Sequence, residues 1–134
     1  MIPSANSILT TELSVVQQPS KQHRMDMDTT RINGTCDGLE AVRQTVYKIL
    51  NTERYANIIY SWDYGVELMD LYGKSPMYAC PEIERRIKEA LLQDDRITGV
   101  DSFEFSFPGK GVVSVTFTVH TIYGDLEEEK AVNI

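Results

Sequence analysis

Hydrophobic residues recur along this chain with two periods, and the change from one to the other divides it. Leu39, Val42, Val46, Ile49 and Leu50 fall at steps of three, four, three and one behind Asp37, a good N-cap. That spacing predicts a first helix over Gly38 to Asn51. Val66, Leu68, Met69, Leu71 and Tyr72 fit a brief second helix stopped by Gly73, with Lys74-Ser75-Pro76 as a loop. Pro81 suits the first turn of a third helix and Glu82 and Glu84 its positive end, with Ile83, Ile87, Ala90 and Leu91 as the inward stripe, so that helix spans Pro81 to Gln93. Between the first two lies Ala56 to Tyr60, short and apolar, ending before Ser61-Trp62-Asp63-Tyr64-Gly65; it reads as an extended or irregular crossing.

Beyond Gly99 the period drops to two. Phe103, Phe105 and Phe107 alternate with Glu104 and Ser106 in a strand over Val100 to Phe107, and Pro108-Gly109-Lys110-Gly111 reads as a tight loop. Val113, Val115, Phe117 and Val119 then alternate with Ser114, Thr116 and Thr118 in an antiparallel partner ending at Ile122. Near the other end, alternation from His23 through Met25 and Met27, a turn at Thr29-Thr30, and a weaker return from Arg31 to Cys36 predict a short hairpin. Leu126-Glu127-Glu128-Glu129-Lys130-Ala131-Val132-Asn133-Ile134 is either a solvated end or a conditional strand. The expected fold is α+β: an N-terminal hairpin, about three helices and a C-terminal antiparallel sheet. Residues 1–22, rich in Ser, Thr, Gln and Pro, read as a flexible arm that orders on a partner. Residues 23–123 read as one domain and residues 124–134 as the tail.

Length and charge narrow the function. A chain of 134 residues is the size of one domain, which buries roughly two-thirds of its unfolded surface. Thirteen Lys and Arg against 20 Asp and Glu give a net charge of -7 with no segregated basic patch, which opposes binding to nucleic acid or anionic lipid. No apolar run approaches a membrane span, and Met1 to Gln18 lacks the basic-then-apolar order of a secretory signal. Cys36 and Cys80 lie far apart, and His23 and His120 are isolated, so neither a metal site nor a cofactor is expected.

Glu53, Asp63, Glu67 and Asp70 around Trp62 and Tyr64 are the one grouping that suggests chemistry, the acid and nucleophile of a glycan hydrolase. In a chain where a quarter of residues are charged, such a cluster arises readily from surface acids, and no more specific catalytic motif accompanies it. Arg85, Arg86 and Lys88 beside Glu82, Glu84 and Glu89 read as a salt-bridged solvent face. Glu53-Arg54 and Asp94-Asp95-Arg96 stand out more, because each follows a helix end. Arginine at such a joint acts as an internal fastener or as a docking group, and both readings stand open.

Those joints carry a resemblance. Ile49-Leu50-Asn51-Thr52-Glu53-Arg54, then Tyr64-Gly65-Val66-Glu67-Leu68, then Ile87-Lys88-Glu89-Ala90-Leu91 running into Asp94-Asp95-Arg96-Ile97, resemble the sheath-initiator family of contractile tails, whose members are also called lysozyme-like baseplate wedge proteins. The likeness covers residues 37 to 123 and is nearest to PBSX-like prophage tail proteins. The family's blocks read Gly-Glu-Arg and Glu-Pro-Arg; here Thr52 replaces the glycine, Asp94 and Asp95 replace Glu and Pro, and Arg54 and Arg96 are kept. The resemblance implies a structural protein, not an enzyme. Six copies would surround the tail tube or hub, dock on wedge proteins and start the sheath, assembling in the bacterial host cytoplasm and ending in the baseplate of the tail particle. It places Glu53, Arg54, Asp94, Asp95 and Arg96 at the wedge-docking end; separately, an exposed edge of the C-terminal sheet makes Leu126 to Ile134 the strand expected to share backbone hydrogen bonds with the sheath. The alternatives are a phage-derived glycan hydrolase and an acidic adaptor without a tail.

Overall fold

A computed structural model describes residues 14, 16, 17 and 19–134, so the expected N-terminal arm falls largely outside the described residues. The described chain is α+β. It runs β1 (Gln22–Asp26), β2 (Arg31–Cys36), α1 (Gly38–Leu50), a 3-10 turn (Met69–Leu71), α2 (Pro76–Leu91), β3 (Ile97–Gly109), β4 (Val112–Thr121) and β5 (Gly124–Asn133). β1 and β2 pair antiparallel by themselves, and the other strands form a second antiparallel sheet in the order β3-β4-β5.

α1 follows its hydrophobic stripe. The Asp37 side chain accepts a hydrogen bond from the Gly38 N–H at 2.7 Å, and Ala41, Val42, Val46, Ile49 and Leu50 are buried. The helix contacts α2 and β5, while α2 contacts β3, so both helices lie on one face of the sheet. Their stripes meet Val113, Val115, Phe117 and Val119 of β4, all wholly buried. Each such apolar side chain contributes about 1.5–3 kcal/mol. Phe103 of β3 stacks on Phe117 at 5.3 Å between ring centroids.

Three expectations need correction. The third helix begins at Pro76, not Pro81: Ser75 is extended, Pro76 takes the first helical position, and Pro81 lies inside. The hydrogen bond Pro81 cannot make would have gone to Met77, in a turn open to water, where Met77 is 91% exposed. The second helix shrinks to the single 3-10 turn. Its upstream backbone is already committed, because the Val66 N–H donates to Thr52 O and the Val66 carbonyl accepts from the Arg54 N–H. The N-terminal hairpin is present, but β1 ends at Asp26, whose carboxylate accepts from the Asp28 and Thr29 N–H groups and closes the turn.

Leu126 to Ile134 is paired. β5 matches β4 residue for residue from Thr121↔Gly124 to Val112↔Asn133 without a register shift, and Leu126 and Val132 enter the core. β3 instead carries three register shifts against β4, and Ser102 at one of them has φ 57°.

Candidate functional site

The chain between α1 and the 3-10 turn makes a closed loop. Glu53 and Val66 form an isolated parallel bridge at its neck. The Arg54 guanidinium donates to Gly65 O at 3.2 Å and to Glu89 of α2 at 3.1 Å. Both Glu53 carboxylate oxygens accept from the Leu68 N–H, and one also from the Met69 N–H, so this acid satisfies the backbone entering the 3-10 turn. Residues 55–64 project from the neck as a compact loop. Ile58 is 99% exposed, Ile59 83% and Trp62 77%, an unusual display of large apolar side chains. The expected crossing is therefore a turn-rich projection.

The second joint flanks the same loop. Asp94 shares a cleft of about 210 Å³ with Ser61, Asp63, Tyr64 and Gly65. Arg96 grips Asp94 with Nε at 3.0 Å and Nη2 at 2.7 Å, and Nη2 also reaches the Thr45 hydroxyl on α1 at 3.2 Å. Burial pushes the Asp94 carboxyl up, but bonds from the Arg96 side chain and backbone outweigh it and hold the group below its ordinary value. Asp95 is exposed in the turn. Thus four of the five joint residues are engaged within the chain. Arg86 belongs with them, although the sequence pattern groups it with its exposed neighbours. Its side chain is 11% exposed and ties Glu82, Asp70 and the Glu67 carbonyl together, whereas Arg85 is 58% exposed and pairs only along α2. Its place three residues after Ile83, at the border of the buried stripe, was the available signal.

Two of the four suspected hydrolase carboxylates are occupied by these duties: Glu53 caps the backbone and Asp70 pairs with Arg86. Among the described residues there is no group of three His, Cys, Asp or Glu placed to hold a metal, and no helix is long and apolar enough to cross a membrane.

β5 supplies the third element. The Ile134 N–H donates to Gly111 O at 2.9 Å, which with the register puts the even-numbered residues of β5 in the pairs that exchange hydrogen bonds with β4. The N–H and C=O groups of Asp125, Glu127, Glu129, Ala131 and Asn133 consequently line the outer edge of the sheet. Side chains alternate as well: Leu126, Glu128, Lys130 and Val132 turn toward the helices, and Glu127, Glu129 and Ala131 toward solvent. Glu128 and Lys130 are thus charges on the core side of an edge strand, a known guard against unwanted pairing. Glu128 lies 3.3 Å from Arg43, and burial pushes its carboxyl up; Lys130 donates to Asn51 at 3.1 Å, and burial pushes its amine down.

On the outer face His120 of β4 joins all three strands, with Nε2 2.9 Å from Asp101 of β3 and Nδ1 2.7 Å from Asp125 of β5. Hydrogen bonds to Asp125 and then Asp101 raise the imidazole above its ordinary 6.5, and the bond from His120 lowers Asp101 below its ordinary 3.8. The protonated imidazole therefore stabilises fully below pH 6.5, and its contribution fades as pH rises through the higher folded value. Asp101 contributes above 3.8 and loses its effect as pH falls through its lower folded value. His120→Gln should accordingly lower Tm more at about pH 5.5 than at about pH 8.5. Equal losses in thermal melts at the two pH values would show that the histidine charge does not couple to folding.

Comparison with known proteins finds a family and a relative for this chain. The family model described as contractile injection system sheath initiator matches residues 17–124. The phage-like element PBSX protein XkdS of Bacillus subtilis (strain 168) is 42% identical over 123 residues, spanning 89% of this chain and 86% of the relative. The chain belongs to the contractile injection system sheath initiator family.

Proposed function

We propose that this chain is the baseplate subunit on which the sheath of a contractile tail begins, docked on wedge proteins by one end and offering β5 to the sheath by another. Family membership supports a structural part in a contractile tail, and catalysis is no part of the reading. Six copies around the tube or hub would present six such edges, and the finished location is the tail particle after assembly in the host cytoplasm.

The observation that carries the sheath assignment is the contrast between the two edges of the sheet. β3 is interrupted by three register shifts, while β5 is regular through ten pairs and presents alternate backbone donors and acceptors outward. A strand from a sheath subunit would extend that ladder by β-augmentation. At the wedge end, Ile58, Ile59 and Trp62 are the contacts, on a loop held by Arg54 on one side and facing the Asp94–Arg96 joint across a cleft on the other. Fastening and docking coincide in this arrangement: the arginines hold the loop, and the loop touches the partner.

Glu127→Pro tests the edge. Its N–H faces outward, so proline removes a donor needed by an incoming strand without deleting a β4–β5 hydrogen bond. Co-expressed with the sheath and wedge proteins of its gene cluster, the variant should remain folded and bind wedges yet nucleate no sheath tubes under negative-stain microscopy. Normal tubes would sink the assignment.

A further inference from the structure

The proposed edge of β5 runs above two grooves, and their positions constrain what can pair there. One, of about 530 Å³, lies below the C-terminal half of the strand and is walled by Leu50, Leu68, Met69, Tyr72 and Val132. The other, of about 250 Å³, lies beside Glu128 and is walled by Met25, Met27, Tyr47 and Arg43. Glu128 and Val132 are four residues apart on the same side of β5, so an added strand would pass both grooves with inward side chains at that spacing.

The grooves differ in chemistry. The larger is lined by Asn51, Glu53 and Lys130 as well, but Leu50, Leu68, Met69, Tyr72 and Val132 give it an aliphatic and aromatic wall that suits a bulky apolar side chain. In the smaller, Glu128 Oε1 is buried without a hydrogen-bond donor: Arg43 Nε lies 3.3 Å away but is not aligned to donate, and the neighbouring Glu40 is held by Arg24 at 3.0 Å. A buried carboxylate oxygen lacking a donor is costly, and an arriving donor would relieve that cost. Met25 and Met27 offer polarizable walls to a methylene stem leading to it. The solvent side of β5 carries Glu127 and Glu129, which also favour a basic neighbour in an adjacent strand.

We infer that the β5 edge selects a basic extended segment of another subunit, placing a lysine or arginine at Glu128 and a bulky apolar residue in the larger groove, four positions apart on one face. This rests on the reading of β5 as the docking edge and adds the side-chain pattern of the strand that docks.

The test titrates the isotope-labelled full chain with extended peptides of about nine residues, long enough to span the edge. The parent peptide carries lysine and leucine four positions apart on a threonine-valine background. Comparison peptides replace lysine with norleucine, replace leucine with serine, or shorten the spacing to three. The parent should shift the amides of β5 and bind about tenfold tighter than each of the others. Glu128→Gln should erase the preference of lysine over norleucine and keep that for leucine over serine. If every peptide shifts β5 amides equally, the side-chain pattern is wrong and the edge assignment survives. If no peptide shifts a β5 amide, the edge assignment itself falls.

Discussion

Gly65→Ala should destabilise the protein by about 3 kcal/mol and lower Tm by roughly 10 °C, the largest stability effect expected of a single added methyl group. Gly65 has φ 91°, and a Cβ there would stand 2.6 Å from Thr52 O and 3.1 Å from Arg54 N. Thr52 O already accepts the Val66 N–H at 3.0 Å, and the Gly65 carbonyl accepts from Arg54. The new methyl group therefore presses on backbone at the neck of the loop, where neither strand can yield without breaking a hydrogen bond. Gly73→Ala separates this from backbone strain alone. Gly73 has φ 82° but nothing within 4 Å of its Cβ position, so the cost should fall to about 1 kcal/mol. Thermal melts of the two variants give the comparison, and equal losses would show that the close approach at the neck carries no weight. The same crowding should speed amide exchange at Arg54 and Val66, whose bonds close the loop.

The sequence disclosed most where one element satisfied one rule. Asp37 and the stripe from Leu39 to Leu50 placed α1 to within a residue, because cap and periodicity coincide. β4 was equally plain, since its valines and phenylalanine alternate without interruption. Helix α2 misled at its start because Pro76 and Pro81 both satisfy the rule for a first turn, and the acids after Pro81 reinforced the later choice. The neck was invisible to periodicity. Its bonds join Thr52 and Arg54 to Val66 across a loop, and they consume the backbone that a second helix would have used. β5 was obscured by its own charges: Glu128 and Lys130 occupy core-side positions that alternation assigns to apolar residues. Arg43 of α1 and Asn51 just past its end make those positions tenable, and no local pattern announces such partners. The arginine joints were legible as unusual, but their hydrogen bonds required the fold.

Arg96→Ala should lower stability by about 2 kcal/mol while leaving a folded protein, below the 3–5 kcal/mol of a fully buried broken pair because both partners keep some access to water. The Arg96 side chain is 13% exposed and that of Asp94 12%. Removing the guanidinium takes two bonds from the Asp94 carboxylate and one from Thr45, but leaves the Arg96 N–H bonded to Asp94 at 2.9 Å. The turn into β3 therefore loosens rather than opens. If Arg96 acts by fastening, the variant should still bind wedge proteins at a temperature well below its Tm. The double variant Ile58→Ser with Trp62→Ser should behave in the opposite way, since both side chains stand in solvent: unchanged melting, and no wedge attachment. Measuring melting and co-purification with wedge proteins on both variants sets fastener against contact. An Arg96→Ala protein with the parent's Tm that no longer binds wedges would make the guanidinium itself the contact. Unimpaired binding by the double variant would remove the projecting loop from the interface. The expected pattern instead divides the labour between an inner arginine that sets the base of the loop and outer apolar residues that spend the resulting rigidity on the partner.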